Sequence, residues 1–410
     1  MIASPAPSSC AVSTPEEAST AVLNDRASER VRGGHPWVYA SDILGWEPAP
    51  PPATSLAARL RDRRGQPLGW ADRSPQSKIQ LRLLTRDPAA SPDREFFQQR
   101  LAQALAWRQS LVADSDAYRL VSSEADGLPG LIVDRYGSSL VIQALSWAMD
   151  ARQESLVADL AALLNPTLIV ERNEARVRLR EGLALRTGVL SGVAAPVEVS
   201  IHGLRFVFEL LGGQKTGGFL DQRENWAAAA HYARALGCHR ALDVFTYQGG
   251  FALHLARAGL AVEALDSSRP ALEAADANAT RNHLPDIDWV EANAFDLLRD
   301  YDQRGEQFDC VVLDPPAFAK SRAALSTAAA GYKEINLRAL KLLSPGGLLV
   351  SCSCSHHLNE AHLLEILAEA ARDARRQLRI LERRTQAADH PILLGFPESA
   401  YLKCILAVAL

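Results

Sequence analysis

Cysteine is scarce in this sequence, six residues in 410, and no two of them form a C-x-x-C pair. Disulfide frameworks and finger-like zinc modules are therefore not expected, and the usage suits a reducing cytosol. No apolar run is long enough to span a bilayer, so neither a membrane helix nor a membrane partner is expected and the placement reads as cytoplasmic. Charge of one sign is not in excess either: the formal net charge is −4, so any nucleic-acid surface must be local. No G-x-G-x-x-G follows a candidate strand and no G-x-x-x-x-G-K-S/T occurs, which excludes the usual helix amino ends for pyrophosphate and triphosphate. Residues 1–22, rich in Ala, Ser, Pro and Thr, lack the basic start and apolar middle of a signal peptide and read as a disordered leader.

What is present is organised around Ala241 to Asp266, ALDVFTYQGGFALHLARAGLAVEALD. Ala241 to Phe245 reads as a buried parallel strand, Thr246 to Gly250 as a turn, Phe251 to Ala258 as a helix, and Ala261 to Leu265 as a second strand ending on Asp266. This is half of a nucleotide-binding α/β sheet. With no phosphate site offered, a ligand with an adenosine ribose and no phosphate fits, and Asp266 can accept hydrogen bonds from both ribose hydroxyls. S-adenosylmethionine is such a ligand; a generic βαβ unit without one is the plainer alternative.

Further strands are expected at Asp288 to Val290, Phe308 to Leu313 and Leu348 to Ser355, with a helix over Gly331 to Leu343. The fourth strand runs into Asp314-Pro315-Pro316-Ala317-Phe318, where two prolines fix an acid at the carboxyl edge of the sheet. The fifth carries Cys352 and Cys354 at a spacing of two, hence on one face. Zinc binding there lacks further ligands, so no metal is expected. Before the first strand, Ile201 to Leu210 alternates as a single strand, and LGGQKTGGFLDQREN reads either as an exposed loop or as a loop closing over the methionine end of the cofactor. In the second case Asp221 serves its ammonium and Arg223 its carboxylate.

Four regions follow: the leader, 23–88 as a small β-rich module, 89–198 as an α+β connecting domain, and 199–410 as the α/β domain. The front module holds eleven Arg or Lys against seven Asp or Glu, and Arg26, Arg30, Arg32 and His35-Pro36-Trp37 place cations beside an aromatic ring. Such a surface suits RNA, although a solvated charged face on a small barrel reads equally well.

ERVRGGHPWVYASDI with RLRDRRGQPLGWADRSPQSKIQLRLLTRD resembles the PUA domain of RNA-modifying enzymes. SSEADGLPGLIVDRYG, GGQKTGGFLDQREN, LDVFTYQGGF, VVLDPPAFAK and SCSCSHH, in this order, resemble the bacterial large-subunit ribosomal RNA cytosine-5 methyltransferases. The resemblance implies a Rossmann-like class I methyltransferase domain behind a PUA barrel, S-adenosylmethionine as cofactor and large-subunit ribosomal RNA as partner; a homodimer is compatible with it. It also implies catalysis by Cys354, as the thiolate that adds to carbon 6, and by Asp314, which holds the base. Cofactor contacts are expected from Thr216, Phe219, Asp221, Arg223, Asp243 and Phe245, and from Tyr247, Gly249, Asp266, Asn293, Ala294 and Asp314. Pro315, Pro316, Phe318 and Lys320 are expected at the target base. Two departures stand out. Ala317 occupies the place where many such enzymes carry a releasing cysteine, and Gly218 stands where relatives often carry an aromatic, which suggests a looser cofactor loop. D-P-P with Phe318 is also similar to enzymes that methylate exocyclic amines of adenine or guanine. An RNA-binding protein without activity is the third reading, opposed by the intact Asp243, Asp266 and Asp314.

Overall fold

The computed structural model describes residues 18–51, 54–284, 287–318 and 325–410, which build three sheets and a hairpin. The front sheet has six strands, in the order Trp37–Tyr39, Ile79–Thr85, Pro67–Arg73, Ala57–Arg61, Thr20–Leu23, Ile43–Glu47. Thr20–Leu23 pairs with two neighbours and buries Ala21 and Leu23, so the sheet begins inside the stretch read as a leader. Alternation over only four residues is too short a signal to stand out against Ala- and Ser-rich flanks.

The cations expected to face RNA are mostly neutralised. Arg30 pairs with Asp42 at 2.5 Å and Arg32 with Asp62, while Arg26 is exposed. The Trp37 ring packs on Phe396 at 4.7 Å and its Nε1 donates to Glu124 at 2.8 Å. The aromatic residue of the front module thus serves a contact between domains.

The middle region is a five-stranded sheet, ordered Arg186–Gly192, Leu168–Asn173, Ser139–Ala144, Leu131–Tyr136, Ala117–Ser122, with the helices Arg94–Leu111 and Gln153–Leu164 packed on it. The expected single strand from Ile201 to Leu210 is instead a hairpin, Val197–Ile201 with Leu204–Phe208. His202 and Gly203, both at positive φ (49° and 76°), form its two-residue turn. That conformation matches strand twist, and a His-Gly pair signals it only weakly.

The last sheet has seven strands, ordered Ile287–Glu291, Ala261–Asp266, Arg240–Val244, Phe308–Leu313, Leu343–Ser353, Lys403–Ala409, Leu378–Arg384. The first five are parallel and the last two antiparallel to their neighbours. The sequence order of the strands reverses between Arg240–Val244 and Phe308–Leu313, which stay parallel, and ligands bind at the carboxyl ends beside such a switch point. Apolar clusters lie on both faces, one centred on Phe206, Trp226 and Phe251 and the other on Phe308, Tyr332 and Leu349. Both faces of the central strands are covered, which is why those read as largely apolar runs, while the edge strand Ile287–Glu291 exposes Asp288 and Glu291.

Buried charges join the three bodies. Arg82 pairs with Glu181 at 2.7 Å and Arg152 with Asp72 at 2.9 Å, front to middle. Between middle and last, Arg108 pairs with Asp126 and donates to the Asp389 carbonyl at 2.9 Å. Arg223, 1% exposed, donates to both oxygens of Asp389, 0% exposed, at 3.0 and 3.3 Å, and the backbone N–H of Arg119 donates to the same carboxylate at 2.8 Å. Burial alone would raise the Asp389 carboxyl, but His390 and Arg223 outweigh it and hold it well below the usual carboxylate range.

Asp389→Ala leaves the buried Arg223 guanidinium with only the half-exposed Glu224, at 3.2 Å, as its anion, and is expected to cost roughly 3–5 kcal/mol in urea unfolding. Because a depressed carboxyl stabilises the fold above about pH 4 and loses that effect as pH falls, wild type should lose more stability on acidification than the variant. Equal stability of the two proteins at pH 7 would show that the pair is dispensable.

Candidate active site

A cavity of about 270 Å³ opens at the carboxyl ends of the parallel strands, beside the switch point. Its floor is the turn after Arg240–Val244, Thr246 to Gly250, which two carboxylates hold. Asp243, 0% exposed, accepts from Thr246 Oγ1 at 2.6 Å and from the Ala252 N–H at 3.0 Å. Asp266 accepts from the Tyr247 N–H and the Ser268 N–H, one on each oxygen, both at 2.9 Å. Phe245 and Tyr247 stand at positive φ, 69° and 51°, a conformation that costs about 1–3 kcal/mol per residue and persists only where the surroundings fix it. Gly249, φ 84°, ends the turn: a Cβ there would lie 2.4 Å from Leu253.

The loop ahead of helix Arg223–Ala235 forms the roof. Lys215 pairs with Asp221 at 2.8 Å and lies over the Phe219 ring at 4.3 Å. Asp221 also accepts from the Tyr401 hydroxyl at 2.8 Å, while its second oxygen is buried without a partner. Burial would raise this carboxyl, but Lys215 and His390 hold it below the ordinary range. The Tyr247 hydroxyl accepts from the Gln214 N–H at 3.0 Å, so the floor clasps the roof. Gly218 does not loosen this loop: its N–H donates to Tyr136 at 3.0 Å, and a Cβ would lie 2.5 Å from the Phe208 ring. Phe208 fills the space a side chain at 218 would take.

On the far wall, Asp314 accepts from Gln222 Nε2 at 2.8 Å. Although partly open to the cavity, it has protein on most sides; burial, reinforced by Asp221 and opposed by Gln222, pushes its carboxyl up to about 7. Cys354 lines the same wall with Sγ 4.0 Å from the Pro315 carbonyl. Burial and the nearby Asp314 push its thiol up to about 11, against the pull of Lys215 and Lys403. Cys352 is 0% exposed and faces Cys404 across the strand pair, a packing position.

Of the residues named from sequence, Phe219, Asp221, Phe245, Tyr247 and Asp266 line the cavity together with Asp314, Pro315, Pro316 and Cys354. Thr216 lies behind the roof, donating to Asp134 at 2.6 Å. Arg223 is turned away to Asp389, and Asp243 and Gly249 shape the turn from below. Asn293 caps helix Ala294–Arg304, accepting from the Phe295 N–H at 2.9 Å, and Ala294 is buried in that first turn. Phe318 packs on Tyr332 at 4.8 Å and Phe295 at 6.0 Å rather than lining the cavity. Lys320 lies outside the described residues. Reading the sequence did not find Gln222, Tyr401 or Lys403, whose roles come from long-range contacts.

Residues 186–406 match the family described as S-adenosylmethionine-dependent methyltransferase, and residues 21–86 match a PUA-like domain. The chain is 42% identical over 384 residues to Ribosomal RNA large subunit methyltransferase I of Tolumonas auensis, covering 92% of this chain and 96% of that one. It is 40% identical over 380 residues to the protein of that name from Photobacterium profundum, covering 91% and 95%. The chain belongs to this family of S-adenosylmethionine-dependent methyltransferases. The fold of the methyltransferase is shared with a putative S-adenosylmethionine-dependent methyltransferase of Streptococcus mutans, TM-score 0.79 at 19% identity over 95% of this chain and 99% of that one. It is shared also with a putative methyltransferase complexed with SAH, TM-score 0.80 at 19% identity over the same shares. The cofactor is S-adenosylmethionine, and the site of this methyltransferase fits it. Asp266 presents carboxylate lone pairs beyond those its two backbone donors use, and one oxygen of Asp221 in the roof, whose other oxygen pairs with Lys215, is without a partner.

Asp314 ionises near about 4 in an unfolded chain and near about 7 here, so the stability it supports is full below the lower value and lost as pH rises to the upper. Asp314→Asn, which does not titrate, should therefore match wild type at pH 4 and exceed it at pH 8 by roughly 1–2 kcal/mol, allowing for partial exposure. Calorimetric melting across that range checks it; a difference independent of pH would place the raised group elsewhere.

Proposed function

We propose that the protein methylates carbon 5 of a cytosine in large-subunit ribosomal RNA, with Cys354 as nucleophile and Asp314 as the group that holds the base. The observation that carries this reading is the shared wall: a thiol and a carboxyl with a raised pKa sit side by side in the cavity that holds the ribose acceptor Asp266. The names of the Tolumonas and Photobacterium relatives supply the RNA.

Cytosine carbon 5 is a poor nucleophile until a thiolate adds at carbon 6 and gives an enamine. S-adenosylmethionine supplies the methyl group. Cys354 as thiolate forms the bond to carbon 6; Asp314, half protonated near neutrality, donates its proton in a hydrogen bond to ring nitrogen 3 and so draws electrons away from carbon 6. After transfer, loss of the proton on carbon 5 returns the electron pair to the ring and the carbon–sulfur bond breaks. Ala317 offers no second thiol for that deprotonation, so a carboxylate of the cavity or water takes it. Phe318, packed on Tyr332 and Phe295, is not set to stack on a base, which favours this reading over methylation of an exocyclic amine.

In the same reading Asp266 accepts from the ribose hydroxyls and Asp221 from the ammonium of the cofactor. Asp266→Ala should weaken binding of S-adenosylmethionine by roughly 1–3 kcal/mol in titration calorimetry. Unchanged affinity would remove Asp266 from the ribose site.

Cys354→Ala should lose methyl transfer while still binding cofactor, and Cys352→Ala should keep most activity. RNA carrying 5-fluorocytosine should trap the wild type as a covalent adduct, because fluorine on carbon 5 cannot leave as a proton does. Nucleoside mass spectrometry of ribosomal RNA reads the product; normal transfer by Cys354→Ala with no adduct would shift the reaction to an exocyclic amine.

A further inference from the structure

Lys403 is a buried cation that, among the described residues, pairs with no carboxylate. It is 5% exposed and stands opposite Ser353 in the antiparallel pair that ends the parallel part of the sheet. Its Nζ donates to the Ser355 carbonyl at 2.7 Å and to the Tyr401 carbonyl at 2.9 Å. An ammonium has three donors, so one is left over after these two. Among the described residues, the titratable groups that interact with Lys403 are Cys354, next in sequence to both Ser353 and Ser355, and His356, whose imidazole is pushed down by burial and by Lys403. Burial lowers the Lys403 amine to about 8, and the sulfur pulls it back up.

The surroundings of Cys354 show why this cation matters. Asp314, from the end of the neighbouring strand, and Asp221, from the roof, both disfavour a thiolate. Lys215 favours one, but its ammonium is paired with Asp221 at 2.8 Å. Tyr332, from helix Leu325–Leu342, faces the same group, with its hydroxyl held by Ser353 and Ser355. A buried charge without a counter-ion costs several kcal/mol, so the position is unfavourable unless an anion forms beside it.

We propose that Lys403 is the counter-cation of the Cys354 thiolate, a positioning residue that makes this sulfur a nucleophile. The inference rests on Cys354 being the nucleophile, as argued above. The thiol proton passes to solvent and its bonding pair stays on sulfur; that pair forms the bond to carbon 6. When the carbon–sulfur bond breaks, the pair returns to sulfur beside Lys403.

The test is the pH dependence of Cys354 alkylation by iodoacetamide, a neutral probe, read by peptide mass mapping in full-length protein without RNA. Lys403→Met and Lys403→Gln should move the titration of Cys354 upward and slow alkylation at pH 7.5 about tenfold. Lys403→Arg should restore most of the wild-type profile. Lys403→Gln keeps two N–H donors for the Ser355 and Tyr401 carbonyls, so it reports on charge even if Lys403→Met does not fold. In methyl transfer the same two variants should lose kcat with little change in KM for ribosomal RNA. An alkylation profile that does not move with either neutral variant overturns the proposal. So does a raised KM with an unmoved profile, which would make Lys403 a phosphate contact. Retained methyl transfer by Cys354→Ala would instead overturn the cytosine-5 reading itself, a result separable from the alkylation profile.

Discussion

The buried pair of Arg223 and Asp389 is the constraint on which the cavity depends. Arg223 opens the helix that follows Asp221 and Gln222, and Asp389 lies in the loop between the last two strands. The same carboxylate takes the Arg119 N–H of the middle sheet, and its carbonyl takes Arg108. One fully desolvated anion therefore sets the positions of the roof, the middle sheet and the loop that carries Tyr401. Such a pair adds little net stability over an apolar packing of the same shape, but it tolerates only one arrangement of its partners.

Around that anchor the acids divide by environment. Asp221, beside Lys215, His390 and the Tyr401 hydroxyl, is held ionised. Asp314 and Asp243, with neutral donors only, are both pushed up to about 7. The separation follows from local partners rather than residue type. It gives the cavity a fixed anion in the roof, suited to a cofactor ammonium, and a titrating carboxyl on the wall beside the thiol.

The front module shows how composition misleads. Its excess of Arg and Lys over Asp and Glu reads as an electrostatic surface, yet Arg30 and Arg32 pair with Asp42 and Asp62, and the half-buried Trp37 packs on Phe396. Charge counted along a chain carries no information about pairing across strands, because the partners lie 12 and 30 residues apart. The hairpin at Val197–Phe208 was missed for a related reason: its turn rests on the positive φ of His202, which no residue type announces.

Local pattern did determine much of this protein. Apolar runs bounded by turn residues placed the five parallel strands, because the central ones are covered on both faces and so largely apolar. The acid at the end of the second strand and the Asp-Pro-Pro after the fourth were legible for the same reason: the carboxyl ends of a parallel sheet converge on one place, so position along each strand is enough. What only the tertiary structure decided is where charged side chains point. Arg223, two residues from Asp221, turns to Asp389, while Lys403, 49 residues beyond Cys354 in the sequence, is brought next to it by the register Ser353–Lys403. A guanidinium or an ammonium on a flexible stem takes its direction from the nearest partner in space, and for both residues that partner lies on another element of the fold.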